Sequence, residues 1–174
     1  MTDDVPDAAH RALERHGAFE GERDEYRCTT TPFDAVATLS PAPGDRDATF
    51  EVEVRVPPLD AVAEGEAVAE VVEDGWFDTL ERRLDDAYDV VKSSDRLDPE
   101  IERFDDEVVA RFGVQAWTAD QGADDAKALI DYVEGTYVQG VIPGYEYGEP
   151  VAGLLNRAQK NADSESTNRG GTPL

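Results

Sequence analysis

The sequence lacks the residues and segments that mark secreted and membrane proteins. It has one cysteine, Cys28, which cannot form an internal disulfide and suits a reducing compartment. It has no run of about 18 apolar residues, so we expect no membrane-spanning helix. The N-terminal segment MTDDVPDAAH is acidic and has no apolar stretch, so we expect no secretory signal. These absences predict a cytoplasmic protein.

Motifs of catalysis and cofactor binding are also missing. The sequence contains no GxSxG, HExxH, P-loop or GxGxxG motif. His10 and His16 are six residues apart on a predicted helix, so they face different ways and do not form a shared metal site. Asp85, Asp86 and Asp89 match a magnesium-binding DDxxD spacing, which an aspartate-rich chain also produces by chance. We interpret them as a solvated face and predict no catalytic residues, no metal and no cofactor.

Basic residues are scarce. Asp and Glu number 40 against 16 Lys and Arg, the formal net charge is −24, and only three residues are lysine. The acids are spread along the whole chain, which is typical of proteins adapted to molar salt, where charges are screened over about 3 Å. No basic stripe is present, so we expect no binding to nucleic acid. The composition resembles that of a haloarchaeal protein. In such proteins a large negative net charge gives little information about binding partners.

Hydrophobic periodicity predicts the secondary structure. Helices are predicted over residues 4–16, 66–92, 120–140 and from about Pro150, and strands over 26–30, 33–39, 50–56, 99–104 and 107–114. In the first helix Asp4 is the predicted N-cap. In the long helix Gly75 is expected to cause a break, with Asp74 capping the second part. The alternation in Phe50–Val56 indicates a strand with one buried and one solvated face.

The order of these elements predicts an α+β fold. We expect an antiparallel sheet of about five strands with helices packed on one face, in the order helix, three strands, helix, two strands, two helices. Residues 1–160 are predicted to form a single domain. Residues 161–174 lack apolar periodicity and are predicted to be a disordered C-terminal tail.

Aromatic residues cluster near the C-terminus. The segment 132–148 contains four tyrosines, and its glycines and proline predict a defined loop. Tyrosine offers a large contact area with few rotatable bonds, so Tyr137, Tyr145 and Tyr147 are candidate partner- or ligand-binding residues. The alternative is that Tyr137 and Tyr145 pack beneath the last helix. Trp76 and Trp117 are predicted to lie in the core.

The sequence also bears two resemblances. The segments TTTPFDA, EDGWFDTLERRL and YVEGTYVQGVIPGYEY resemble an uncharacterised haloarchaeal protein family, over residues 1–160. That family is a domain of unknown function and implies no activity and no site residues. The order of the elements over residues 4–140 is similar to the type III secretion chaperone-like fold, although a fold does not determine a function.

The function that these features favour is binding rather than catalysis. We predict a small non-enzymatic protein-binding or adaptor protein of a halophilic cytoplasm, which uses the tyrosine loop and an exposed sheet or helix face. Two alternatives stay open. A structural or regulatory homodimer would have an isologous apolar interface. A small enzyme using carboxylates, His10 or His16 would need a concave pocket with perturbed titratable groups.

We expect the fold to depend on salt. Leu, Ile, Val and Phe make up 37 of the 174 residues, just above the share below which a highly charged chain stays unfolded. In dilute buffer the net charge of −24 repels itself. Far-ultraviolet circular dichroism should therefore show loss of structure between molar KCl and about 50 mM KCl. An unchanged spectrum at low salt would contradict this prediction.

Overall fold

The computed structural model describes residues 5–22 and 25–169. The helices are α1 (Asp7–Arg15), α2 (Leu59–Val62), α3 (Glu70–Leu84), α4 (Ala119–Gly140) and α5 (Val151–Arg169), with a short 3₁₀ helix at Ala87–Val90. The strands are β1 (Phe19–Glu22), β2 (Glu25–Cys28), β3 (Asp34–Ser40), β4 (Ala48–Val56), β5 (Ala63–Glu64), β6 (Glu100–Arg103), β7 (Val108–Ala116) and β8 (Glu146–Tyr147). Within the described ranges no helix is long and apolar enough to cross a membrane.

The main sheet is antiparallel and has six strands in the order β1-β2-β3-β4-β7-β6. The predicted α+β class is confirmed, and each of the five predicted strands is present. The additional strand, β1, forms a hairpin with β2. Its sequence, FEGE, is short and has no apolar alternation, so the sequence offered no signal for it. Strands β5 and β8 form a separate two-stranded sheet.

The two faces of the main sheet differ as the alternation in β4 predicts. Phe50, Val52, Val54 and Val56 are buried, and β7 places Val114, Phe112, Ala110 and Val108 opposite them. Helix α4 packs on this face across β4 and β7, and α1 and α3 contact α4. The opposite face, which we call the outer face, carries Glu51, Glu53 and Arg55 of β4.

The predicted break of the long helix at Gly75 is wrong, as α3 shows. It runs without interruption from Glu70 to Leu84, so Asp74 caps no second helix. Instead, the Asp74 carboxylate accepts a hydrogen bond from Arg103 at 2.8 Å. A glycine inside a helix costs about 1 kcal/mol, which the burial of α3 against the core outweighs. Val71 lies on the solvent side of the first turn of this helix and is 79% exposed.

Helix α4 confirms the predicted helix over 120–140. The Thr118 side chain accepts a hydrogen bond from the Gln121 N–H at 3.3 Å and forms its N-cap. Its buried face includes Ala126, Leu129, Ile130, Val133 and Tyr137. The prediction that Trp117 lies in the core is wrong. Its side chain is 50% exposed just before α4 and lies beneath the Arg46 guanidinium, 4.5 Å from the ring centroid.

The two ends of the chain differ in part from expectation. Helix α1 begins at Asp7, and the predicted cap, Asp4, lies outside the described residues. Helix α5 buries Val151 and Leu154, whereas Ala158, one turn further on, is exposed. It continues to Arg169, so residues 161–169 are helical here, while 170–174 lie outside the described residues. The division into a domain over 1–160 and a disordered tail over 161–174 stays a prediction.

Two glycines of α4 provide a matched test of the contact between helix and sheet. A Cβ atom added at Gly122 would lie 2.2 Å from the Phe50 ring, whereas one at Gly135 would meet nothing within 4 Å. We expect Gly122→Ala to lower the free energy of unfolding by about 1–3 kcal/mol through overpacking. Gly135→Ala should raise it by about 0.5–1 kcal/mol, because alanine favours the helix. Denaturant titration of both variants measures the two effects, and equal effects would contradict this account.

Candidate functional site

The three candidate tyrosines lie in different environments. Tyr137 is fully buried on α4, and its hydroxyl donates a hydrogen bond to the Pro57 carbonyl at 2.9 Å. Its ring makes edge contacts with the rings of Phe33 and Trp76, at centroid distances of 5.0 and 5.8 Å. Tyr137 therefore has a packing role in this conformation and presents no surface to a partner.

Tyr145 and Tyr147 are half-buried in the loop between α4 and α5. Their ring centroids are 6.4 Å apart, and the Tyr147 hydroxyl donates a hydrogen bond to the Ile142 carbonyl. Strand β8 pairs with β5, and the Gly148 N–H continues this pairing by donating to the Val62 carbonyl at 2.7 Å. The loop is thus held against the fold by its backbone, with only parts of the two rings open to contact.

A buried glutamate lies near these tyrosines. Glu73 of α3 is only 6% exposed. One carboxylate oxygen, Oε2, accepts a hydrogen bond from the Asp60 N–H of α2 at 3.3 Å. The other oxygen, Oε1, and the indole Nε1 of Trp76 are buried and have no hydrogen-bond partner among the described residues. Leaving a buried polar atom without a partner costs free energy, so these two atoms are exceptions to the usual pairing of buried polar groups.

Electrostatic effects connect Glu73 with two of the candidate tyrosines. Burial raises the pKa of Glu73, and the N–H groups of Asp60 and Leu59 and the charge of Arg103 offset this only in part. Burial also raises the pKa of Tyr137 and of Tyr147, and the negative charge of Glu73 adds to both shifts. Tyr137 and Tyr147 therefore both lie close enough to Glu73 for its charge to affect them.

Glu73 lines a cleft of about 510 Å³ between α2, α3 and the turn that follows β6. We call it the Glu73 cleft. Its charged lining consists of Asp60, Glu70, Glu73, Asp74, Asp105 and Arg103. The guanidinium of Arg103 is already held, 2.8 Å from the Asp74 carboxylate and 5.3 Å from the centroid of Phe77. The cleft therefore has an excess of negative charge.

The outer face of the sheet holds a second concave surface, a groove of about 360 Å³. We call it the outer groove. It is lined by Val36 and Leu97, by the carboxylates of Glu25, Glu51, Glu53, Asp98 and Glu100, and by Arg111. Burial alone would raise the pKa of Glu53, but hydrogen bonds and charge from Arg111 and Arg55 outweigh it and lower that pKa. Arg111 also contacts Glu102 at 3.0 Å, so the only base lining the groove among the described residues is already neutralised.

The two histidines have separate partners. His10 Nδ1 is 2.8 Å from the Tyr26 hydroxyl, and His16 Nε2 is 3.2 Å from the Asp124 carboxylate. Cys28 is a free, buried cysteine. In the part of the chain that the structure describes, no group of three or more His, Cys, Asp or Glu side chains is arranged to hold a metal ion.

A family model matches residues 14–157, which include both concave surfaces and the tyrosine loop. The chain belongs to DUF5813, a family of unknown function. This confirms the predicted membership of an uncharacterised family, while the haloarchaeal origin and the likeness to a secretion chaperone stay predictions. No curated protein and no solved structure matches the chain.

Sequence reasoning did not single out Glu73 in this DUF5813 chain, although a signal was present. Glu73 lies three residues before Trp76 and seven before Leu80, which is the spacing of one helix face. Both of those residues are buried in the core. A carboxylate on the apolar stripe of a helix is therefore the pattern that marks this site, and the abundance of other acids conceals it.

The raised pKa of Glu73 predicts how one substitution responds to pH. The pKa of Glu73 is higher in the folded protein than its ordinary value of 4.5. As pH rises through the interval between these two pKa values, ionisation of the buried acid lowers the free energy of unfolding of the wild type. Glu73→Gln mimics the neutral acid, so its unfolding free energy should rise relative to the wild type over that range. Urea denaturation in molar KCl at several pH values measures the difference. Glu70→Gln, on an exposed part of the same helix, controls for the lost charge. If the unfolding free energy of Glu73→Gln differed from that of the wild type by the same amount at every pH, the prediction would be wrong.

Proposed function

We propose that this chain is a non-enzymatic adaptor of a haloarchaeal cytoplasm that binds a basic, extended segment of a partner protein in the outer groove. The observation that carries the proposal is the acidic groove on a sheet face against which α4 does not pack. The partner is argued from charge complementarity. Glu25, Glu51, Asp98 and Glu100 surround the groove, and its arginine is already paired.

The lining of the outer groove suits the side chains of lysine and arginine. Val36 of β3 and Leu97, which lies over Gly113 of β7, are half-buried and supply an apolar floor. The aliphatic stem of a basic side chain can pack on such a floor while its charged end reaches a carboxylate. Glu51 is exposed beside this floor and is the first carboxylate that such a group would meet.

Pairing of a partner strand with a sheet edge is a less suitable mode of binding. The edge strand β6 has four residues and carries Glu100, Glu102 and Arg103. Short, charged edge strands discourage the addition of a further strand. A second copy of this chain is also a poor occupant of the groove, because it has only 16 Lys and Arg against 40 Asp and Glu and so offers few basic side chains.

Affinity capture with matched charge reversals tests the proposal. Glu51→Lys changes the groove, whereas Glu14→Lys makes the same change in charge at an exposed position on α1. Both variants, the wild type and a Tyr145→Ala, Tyr147→Ala double variant are used in molar KCl on haloarchaeal lysate. Circular dichroism first verifies that each is folded.

We expect a protein that is captured by the wild type and by Glu14→Lys to be lost with Glu51→Lys. A synthetic peptide alternating lysine and valine should then compete with it, whereas one alternating glutamate and valine should not. Equal capture by both charge reversals would contradict a role for the groove. If the captured protein were lost only with the tyrosine double variant, the binding surface would lie on the tyrosine loop instead. If only this chain itself were recovered, a homodimer would be favoured.

A further inference from the structure

We propose that the buried Tyr88 hydroxyl is a positioning group for the outer groove, because it fixes a β-bulge that places one wall of the groove. This inference rests on the proposed function, since it concerns the same groove, and it assigns a role to a residue that does not line it. It depends on the register of the chain beside β7, on three contacts of one hydroxyl oxygen, and on the side chains that the bulge brings to the groove.

The edge segment that pairs with β7 contains one extra residue. Arg96 forms an antiparallel bridge with Val114, whereas further along the same edge Glu100 of β6 pairs with Arg111. Between these two pairs, three residues of the edge segment face only two residues of β7. This count defines a β-bulge. Pro99 lies within it, and a proline suits such a position because it has no N–H to donate to the neighbouring strand.

The Tyr88 hydroxyl joins the two chains at the start of this bulge. Opposite residues of an antiparallel pair can exchange two backbone hydrogen bonds. Leu97 makes one of them directly, because its N–H donates to the Gly113 carbonyl at 2.9 Å. The hydroxyl mediates the other: it accepts from the Gly113 N–H at 2.9 Å and donates to the Leu97 carbonyl at 2.6 Å. It also lies 3.0 Å from the Gly113 carbonyl, so one side-chain oxygen contacts both backbones where the register changes.

The ring of Tyr88 is held firmly enough to act as such a clip. It is buried and makes an edge contact with the ring of Phe112 at a centroid distance of 5.8 Å. The guanidinium of Arg96 lies 5.5 Å from the centroid of the same ring. Burial raises the pKa of the hydroxyl above its ordinary value of 10, so it keeps the proton that it donates.

The bulge decides which side chains reach the outer groove. Successive residues of a regular strand point to opposite faces of a sheet, so residues three positions apart do not share a face. Leu97 nevertheless lies over Gly113 on the outer face, and Glu100, opposite Arg111, lines the same groove. The extra residue brings both side chains to one face and leaves Asp98 among the lining residues. The Tyr88 hydroxyl therefore acts on the groove through Leu97 and the two residues that follow the clip.

Two buried tyrosines provide a matched test. Tyr88→Phe and Tyr137→Phe each remove a hydroxyl that donates to a backbone carbonyl, but the bond of Tyr137 goes to Pro57, and neither of these residues lines the outer groove. We expect Tyr88→Phe to weaken binding of the peptide alternating lysine and valine by about three- to tenfold in molar KCl. Tyr137→Phe should bind it as the wild type does. Circular dichroism first verifies that both variants are folded.

Amide hydrogen exchange, followed residue by residue with NMR, gives a readout that a general loss of stability would not produce. Exchange should accelerate at Gly113 and Leu97 in Tyr88→Phe and not in Tyr137→Phe. In the wild type, bound peptide should slow exchange at Gly113, which provides a test even if Tyr88→Phe does not fold. An unchanged Gly113 amide in both experiments would overturn the inference.

The peptide titration separates failure of this inference from failure of the proposed function. If Glu51→Lys loses the peptide while Tyr88→Phe binds it as tightly as the wild type, the groove binds basic segments and the positioning role of Tyr88 is overturned. Equal weakening in Tyr88→Phe and Tyr137→Phe would also overturn that role, because the effect would then be one of stability. If the folded wild type binds no peptide, the proposed function fails, and this inference fails with it.

Discussion

The close contact between α4 and the central strands β4 and β7 is the constraint on which the rest of the structure depends. Gly122 lets the helix backbone approach the ring of Phe50, where a larger residue would collide. Helices α1 and α3 then pack against α4. The same helix anchors the chain before β6, because the buried Asp125 carboxylate accepts hydrogen bonds from the N–H groups of Lys92 and Ser93, at 2.9 and 3.0 Å.

On the outer face of the sheet, two of the few basic residues of this acidic chain are paired with a glutamate. Arg55 and Arg111 project from the outer face and both hold Glu53, at 2.7 and 2.9 Å. Their pKa values are raised, first of all by the hydrogen bonds to Glu53. Because these arginines are paired with Glu53, the other carboxylates around the outer groove give that surface its negative charge. Molar salt screens the long-range attraction between such a surface and a basic partner, so binding in molar salt would depend on short-range contacts made inside the groove.

Glu73 departs from the pattern of the rest of the core. Asp125 is also buried on a helix, but N–H groups and the Ser93 hydroxyl satisfy its carboxylate. Glu73 has one satisfied oxygen and one without a partner, beside a Trp76 indole that also has none among the described residues. Burying an incompletely paired carboxyl group is costly, and a more stable chain would place an apolar residue there.

Local patterns in the sequence determined the α+β class, the alternation of β4 and the buried face of α4. Each depends on residues a few positions apart, whose burial follows from the period of a strand or a helix. The composition likewise determined the acidic surface. Only the tertiary structure decided that Tyr137 is buried, that α3 passes through Gly75 and that Glu73 meets α2. These outcomes depend on contacts between distant segments, such as the hydrogen bond that joins Tyr137 to Pro57 across 80 residues. No local period encodes which distant atoms a buried side chain will meet, and the candidate site consists of such contacts.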